Sequence, residues 1–314
     1  MKRLEYDDYG GIDKFHLAEV SVPEPGDREL LVRVHAAGIN ELDWKIRNAK
    51  LLTQDGHQWP RRVGCEFAGI VEQAGGAVTS VRIGEEVFGW VNFKQLGAMA
   101  DYILVSPDQV HAKPPSLSMQ EAAGLPMAGA TAYTALRGEV DVRGRSVLIN
   151  GGSGGVGHLA IQIARMDNAH VTAVGGPHHR SVMERAGANR FVNYRETDVR
   201  QEGVTYDLIL DTSRSLPWSD AKPLLNEHGV YLDLQPGLGA FVGSYLNNLF
   251  STKKRDVLGV AVDHTMLHRL YTLVEDHGLK VHVGREYALM DYRKAYETEE
   301  NGGGSGGKAI IVVR

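Results

Sequence analysis

The sequence predicts an α/β fold in which a doubly wound parallel sheet is inserted into a β-rich domain, and three observations carry that prediction. The first is the stretch from Ser146 to Ala164. There the apolar strand Val147-Leu148-Ile149 runs into the loop Gly151-Gly152-Ser153-Gly154-Gly155-Val156-Gly157 and then into a helix with Leu159, Ile163 and Met166 at helical spacing. The second is the strand and helix alternation that follows, with strands expected at 146–150, 170–174, 190–193, 206–210, 229–234 and 256–262. The third is the closing apolar run Ala309-Ile310-Ile311-Val312-Val313, which has no helix after it and needs a sheet to join. The simplest partner is the N-terminal block, which divides the chain into a first domain over 1–118, an inserted domain over 119–279 and a returning segment over 280–314.

The N-terminal block reads as β-rich element by element. Leu30 to Ala36 alternates in polarity, and Gly69 to Gly76 and Glu86 to Trp90 are short strands punctuated by glycines. Asn301-Gly302-Gly303-Gly304-Ser305-Gly306-Gly307 is the one low-complexity segment and is expected to be a mobile loop.

The glycine loop carries the first chemical signal. Gly152, Gly154 and Gly157 fill G-x-G-x-x-G, which supplies a tight turn, backbone approach to a pyrophosphate and close helix-on-strand packing. The helix start beyond them offers unpaired N–H groups and a positive dipole end. Three glycines alone are weak evidence, but His170 to Val174 follows as a strand at the distance a βαβ crossover needs. The reading is a dinucleotide site in which Ser153, Gly154, Gly155 and Val156 contact the pyrophosphate.

The next segment bears on which dinucleotide. NAD sites place an acid about 20 residues past the glycines to bind the ribose 2′-hydroxyl. Here that place holds Gly175-Gly176-Pro177-His178-His179-Arg180, with no acid. A guanidinium at Arg180 would grip a 2′-phosphate in two bonds, with His178 or His179 as further donors, so NADPH is the expected cofactor. The competing reading makes Arg180 a solvated basic helix start.

Composition excludes several classes. With 43% hydrophobic and 23% charged residues among 314, the chain can bury a full core over two domains. A formal net charge of -5, with basic residues scattered, gives no nucleic-acid footprint. No stretch reaches the roughly 18 apolar residues of a membrane span, and the N-terminus lacks a signal-peptide core. The single cysteine, Cys65, precludes an intrachain disulfide and a Cys-rich zinc site. A soluble, cytoplasmic protein is expected. Gly152-Ser153-Gly154-Gly155 is not the G-x-S-x-G elbow of a serine hydrolase, and His264 and His268, four apart on an expected helix, lack a metalloprotease pattern.

Several segments in fixed order resemble the medium-chain dehydrogenase/reductase superfamily, and within it the zinc-independent quinone oxidoreductase branch. They are Ala36 to Lys45, Gly64-Cys65-Glu66-Phe67-Ala68-Gly69, Ala130 to Leu136, the glycine loop with Gln162, and Gly307-Lys308-Ala309-Ile310-Ile311. The resemblance covers nearly the whole chain. It implies a GroES-like catalytic domain, an inserted Rossmann domain, a cofactor cleft between them and a homodimer. Zinc members carry a ligand Cys where this chain has Asn40 and a ligand His where it has Cys65.

Without a Lewis acid, oxidation of an unactivated alcohol is hard to support, whereas an enone, enal or quinone already accepts hydride. The expected activity is therefore NADPH-dependent reduction of a quinone or an α,β-unsaturated carbonyl, with no metal and with a biosynthetic tailoring role as one variant. A non-catalytic NADPH-binding sensor or crystallin-like protein is the alternative.

By the same resemblance, Asn40 matches an asparagine near the nicotinamide ribose and Asp43 the acid three residues on. Lys45 matches a position facing the substrate, where its ammonium would serve the carbonyl oxygen; the other reading points it into solvent. Thr131 and Tyr133 are placed at the opening of a helix leading to the cofactor, Tyr133 as a donor or as a core tyrosine. Tyr194 matches a tyrosine near the adenosine phosphate, and Gly175 is counted among the cofactor-binding residues. Gln54, His57, Trp59, Trp90, Phe93 and Phe241 or Tyr245 are candidates to line an apolar substrate pocket.

Overall fold

A computed structural model describes residues 1–50, 59–138, 140–234, 244, 247–249, 251–302, 304 and 306–314. In chain order the described elements begin with β1 (Lys2–Tyr6), β2 (His16–Glu19), β3 (Leu30–Gly38), α1 (Glu41–Arg47), β4 (Arg61–Arg62), β5 (Glu66–Ala74), β6 (Glu86–Trp90), β7 (Tyr102–Val105), β8 (Val110–Ala112), α2 (Met119–Ala123) and α3 (Pro126–Arg137). The middle of the chain supplies β9 (Ser146–Asn150), α4 (Gly157–Met166), β10 (His170–Gly175), α5 (Arg180–Arg185), β11 (Arg190–Asn193), β12 (Tyr206–Asp211), α6 (Trp218–Ala221), β13 (Leu225–Asp233) and β14 (Lys254–Val257). It closes with α7 (His264–Glu275), β15 (Val283–Ala288), α8 (Tyr292–Glu300) and β16 (Lys308–Val312).

The chain forms two compact units, Met1–Met127 with Val262–Arg314, and Ala128–Ala261. This corrects both expected boundaries. The short helix α2 follows position 118 but packs on β3, β5 and β16, and α7 precedes position 280 but packs on β8. An amphipathic helix belongs to whichever sheet covers its apolar face, and composition does not say which sheet that is.

The first unit holds a mixed sheet in the order β15-β16-β3-β5-β6-β8, with β7 also paired to β3, and a small sheet β2-β1-β4. The strand β16 joins β3 antiparallel, Ile310 opposite Gly38 and Val312 opposite Ala36, so the closing run does return to the N-terminal sheet. The expected alternation of β3 gives way to burial of nearly every residue, because α2 and the neighbouring strands cover it. Leu4, Phe15, Val32, Phe67, Met99, Tyr296 and Ile311 are among its fully buried core.

The second unit is one parallel sheet in the order β11-β10-β9-β12-β13-β14. Reading outward from β9, the chain fills one side and then the other, which is the doubly wound order with a switch point between β9 and β12. The last strand is shorter than expected, ending at Val257 instead of 262. Leu148, Val174, Ile209, Leu225 and Tyr231 pack its core.

Candidate active site

In the second unit the glycine loop lies at the switch point, just past the carboxyl end of β9. Gly151 and Gly152 donate their N–H groups to the Val174 carbonyl of β10, at 3.1 and 2.9 Å, and Gly154 N–H reaches the Gly151 carbonyl at 3.0 Å. The three glycines of the motif do different work. A Cβ on Gly157 would come 2.2 Å from the Gly151 carbonyl oxygen and one on Gly152 2.9 Å from Ala173 Cβ, so both exist for close packing. A Cβ on Gly154 would meet only the Gly151 oxygen at 3.4 Å, so the loop is open there, as backbone approach to a phosphate requires. At the start of α4, His158 N–H donates to the Gly154 carbonyl at 3.1 Å and Ala160 N–H to that of Val156 at 2.9 Å, so the positive end of the helix dipole heads that loop. The open backbone at Gly154 fits a dinucleotide pyrophosphate, which Ser153 to Val156 would hold.

The loop is clasped between the ends of β9 and β12 by residues that the sequence did not single out. Asn150, 5% exposed, donates to Asp211 Oδ1 at 2.9 Å and to Ser213 and Ser215 Oγ at 2.8 and 2.9 Å. Thr212 Oγ1 donates to the Asn150 and Gly151 carbonyls at 2.9 and 3.0 Å. Asp211 accepts from Ser213, Arg214 and Leu216 N–H, so the carboxylate organises a turn that fixes the loop's floor.

At the end of β10, Gly176 lies against Tyr194, whose ring atoms would be 3.6 Å from a Cβ placed there. Gly175 is tight against Met183. Arg180 opens α5, but its guanidinium is paired with Glu184 at 2.7 Å and stacked 5.4 Å over the Phe191 ring. It lines a small cavity of about 180 Å³ with Arg190, Asn193 and Thr197. Arg195, to which the sequence gave no role, stacks 5.9 Å over Tyr194 and adds a second guanidinium at this end.

In the first unit, Asn40 begins α1 and both ends of its amide are taken. Its Nδ2 donates to Glu66 Oε1 at 2.8 Å and to the Gly38 carbonyl at 3.3 Å, while Oδ1 accepts from Lys308 Nζ at 2.9 Å. Lys308 Nζ also reaches Glu66 Oε1 at 2.7 Å and the Ile39 carbonyl at 3.0 Å. The other oxygen of Glu66 accepts the Met127 N–H at 2.8 Å, at the start of α3. Gly38 is obligatory here, since a Cβ would come 2.1 Å from Glu66 Oε1.

Asp43 was expected among the catalytic residues, and the structure gives it another task. It is 6% exposed and accepts from the Asn40 N–H and the Tyr296 hydroxyl, each at 3.0 Å. Burial pushes its pKa up to about 7, against those two hydrogen bonds, which favour the charged form. The acid closes the start of α1 and ties it to α8. Arg47, at the other end of α1, repeats the tie through Glu300 at 2.6 Å.

Lys45 pairs with Glu41 one turn earlier at 2.7 Å, its side chain 16% exposed, so the solvent-pointing reading is corrected. Thr131 and Tyr133 lie in the body of α3 and not at its opening, which is Pro126; Arg137 stacks 5.9 Å over the Tyr133 ring. Trp90 and Phe93 meet edge to face at 5.8 Å. The cavity of about 360 Å³ beside Trp90 is, however, lined by Asn92, Gln95, Asp108 and Asp263 more than by apolar groups. Trp59 packs on Tyr6 and Tyr9, whereas Gln54, His57, Phe241 and Tyr245 fall outside the described residues.

A β-rich unit interrupted by a doubly wound sheet with a dinucleotide cradle at its switch point defines a two-domain, nicotinamide-dependent oxidoreductase. Comparison with known proteins agrees. Residues 26–115 match the alcohol dehydrogenase GroES-like domain and residues 186–311 the zinc-binding dehydrogenase domain. The chain is 32% identical over 99% of its length to a chloroplastic quinone-oxidoreductase homolog of Spinacia oleracea, covering 98% of that protein. It is 32% identical to a chloroplastic NADPH-dependent alkenal/one oxidoreductase of Arabidopsis thaliana over 67% of this chain and 57% of that one. The quinone oxidoreductase from Coxiella burnetii superposes with a TM-score of 0.87 at 31% identity, covering 100% of this chain and 99% of that one. The chain belongs to the quinone oxidoreductase family of the medium-chain dehydrogenase/reductase superfamily.

Proposed function

We propose that this protein is an NADPH-dependent reductase of quinones or α,β-unsaturated carbonyls that works without a catalytic zinc. The observation that carries the zinc part is the donor chemistry at Asn40, Cys65 and Glu66. A catalytic zinc takes three protein ligands from Cys, His, Asp and Glu, and here Asn40 offers only a neutral amide, which leaves Cys65 and Glu66 as two. The Glu66 carboxylate is already occupied by Lys308, Asn40 and Met127. Zinc does not fit this donor set. The names of the relatives above, a quinone oxidoreductase and an NADPH-dependent alkenal/one oxidoreductase, support the acceptor class and the cofactor.

When bound, NADPH supplies the hydride that reduces the acceptor carbon. The residues of this chain do the rest. The 153–156 loop and the start of α4 hold the pyrophosphate, and Gly175, Tyr194 and Arg180 receive the adenosine end, for which Arg180 exchanges Glu184 for a 2′-phosphate. Asn40, held through Glu66 and Lys308, is the residue assigned to the nicotinamide ribose, and Thr131 of α3 is assigned to the cofactor. Lys45 donates to the carbonyl oxygen as negative charge develops there and supplies the proton that completes the reduction.

The test is loss of NADPH absorbance with a panel of quinones and enones, before and after chelation. Turnover that survives chelation is expected. Tight NADPH binding with no turnover would make the protein a sensor, and activity lost on chelation and restored by zinc would overturn the metal-free reading. Lys45→Ala is expected to slow a weakly activated enone by about ten- to a thousandfold and a strongly electrophilic quinone far less.

A further inference from the structure

Three imidazoles that the proposed reaction does not use meet in the first unit, where α7 packs on β8. His111 stands in β8, and His264 and His268 lie one helical turn apart on α7. His111 Nδ1 is 3.1 Å from the Ala112 carbonyl oxygen. A carbonyl can only accept, so Nδ1 carries the proton and Nε2 keeps its lone pair. That Nε2 is 3.2 Å from His268 Nδ1. By the same argument His264, whose Nδ1 is 3.0 Å from the Val110 carbonyl, has an unprotonated Nε2; its ring centre is 5.4 Å from that of His111. The Tyr271 ring stacks against His111 at 5.0 Å.

We propose that His111 Nε2 and His268 Nδ1 chelate a divalent transition-metal ion of the Cu²⁺, Ni²⁺, Zn²⁺ class, with water in the remaining positions and His264 alongside. The bite is right. At metal–nitrogen bonds of about 2.0–2.1 Å, two ligands at the tetrahedral angle stand about 3.3 Å apart. The outer partner is right as well, since a ligating histidine ordinarily donates its other N–H to a carbonyl or carboxylate, as His111 does to Ala112. Both donors are imidazole nitrogens, the ligand type of copper, nickel and zinc and not of magnesium or calcium. Binding moves the proton of neutral His268 from Nδ1 to Nε2, so none is released. Among the described residues no group of three or more His, Cys, Asp or Glu is placed to hold a metal ion, and the site is accordingly an open, two-imidazole one.

Titration of tag-free protein with CuCl₂, followed by calorimetry and by electron paramagnetic resonance, tests this. One Cu²⁺ per chain with nitrogen couplings from imidazole is expected, and ZnCl₂ should displace it only in large excess, since a nitrogen site prefers Cu²⁺. His268 is exposed, so His268→Ala leaves the fold intact and should weaken Cu²⁺ binding by more than about tenfold, the least that loss of even an outer partner costs a metal site. His111→Ala should do the same, while His170→Ala, at an exposed position on β10, should bind like the parent. Unchanged affinity in His268→Ala, or no stoichiometric binding to the parent, would overturn the proposal.

Discussion

Replacing Lys308 by methionine keeps the length of the side chain and removes its charge, in the most enclosed ion pair of the first unit. Lys308 Nζ and Glu66 Oε1 are 2.7 Å apart, with side chains 5% and 0% exposed. After the substitution the Glu66 carboxylate retains the Asn40 amide and the Met127 N–H but has no cation, and the Ile39 carbonyl and Asn40 Oδ1 lose their donor. Breaking one side of a buried pair costs about 3–5 kcal/mol, because the partner charge stays desolvated. The two orphaned acceptors put Lys308→Met at the upper end of that range. For a domain of 150–250 residues each kcal/mol moves the Tm by about 2–4 °C, so a fall of roughly 10–20 °C is expected by calorimetry at pH 7. High salt should not change the difference, since a buried pair is poorly screened. The double variant Glu66→Gln with Lys308→Met should recover most of the loss, as both charges are then gone. Single variants that each cost under about 1 kcal/mol, or a double variant equal to their sum, would refute the reading of Glu66 and Lys308 as a buried, mutually dependent pair.

Three further outcomes are expected. Because the Asp43 pKa is raised to about 7 in the folded chain, its protonated form adds stability fully below pH 4 and loses it as pH rises through 7. Melts of Asp43→Asn should therefore gain on the parent by about 2.7 kcal/mol between pH 5 and 8, from the two pH units below the folded pKa of about 7 at 1.36 kcal/mol each, and a gap that stays flat would contradict this. Wild-type protein should bind NADPH more tightly than NADH by equilibrium fluorescence. Arg180→Ala should erase most of that preference, and equal wild-type affinities would sink the assignment. Gly157→Ala drives a Cβ into backbone 2.2 Å away, so it should cost about 1–3 kcal/mol and abolish dinucleotide binding; retained binding would separate the loop from the site.

Local features of this chain were legible in its sequence because short-range physics writes them there. The strand, glycine turn and helix from Ser146 to Met166 follow from apolar runs and from the backbone freedom of glycine, and the five further strands of the parallel sheet follow from the same periodicity. The ordered motifs from Ala36 to Gly307-Lys308 carried the family. What joins residues far apart in sequence was not legible. Glu66 meets Lys308 only because β16 and β5 both register on β3, Ile310 opposite Gly38 and Phe67 opposite Ala37. Tyr296 reaches Asp43 only because α8 packs beside α1, and Asn150 finds Asp211 only because β9 and β12 are neighbours at the switch point. His111 and His268 were two scattered histidines until β8 and α7 were packed together. Sequence periodicity sets which face of an element is apolar, but only the tertiary structure selects the partner that covers it. That choice turned Asp43 inward, moved α2 and α7 into the first unit and closed the Asn40 amide around a buried ion pair.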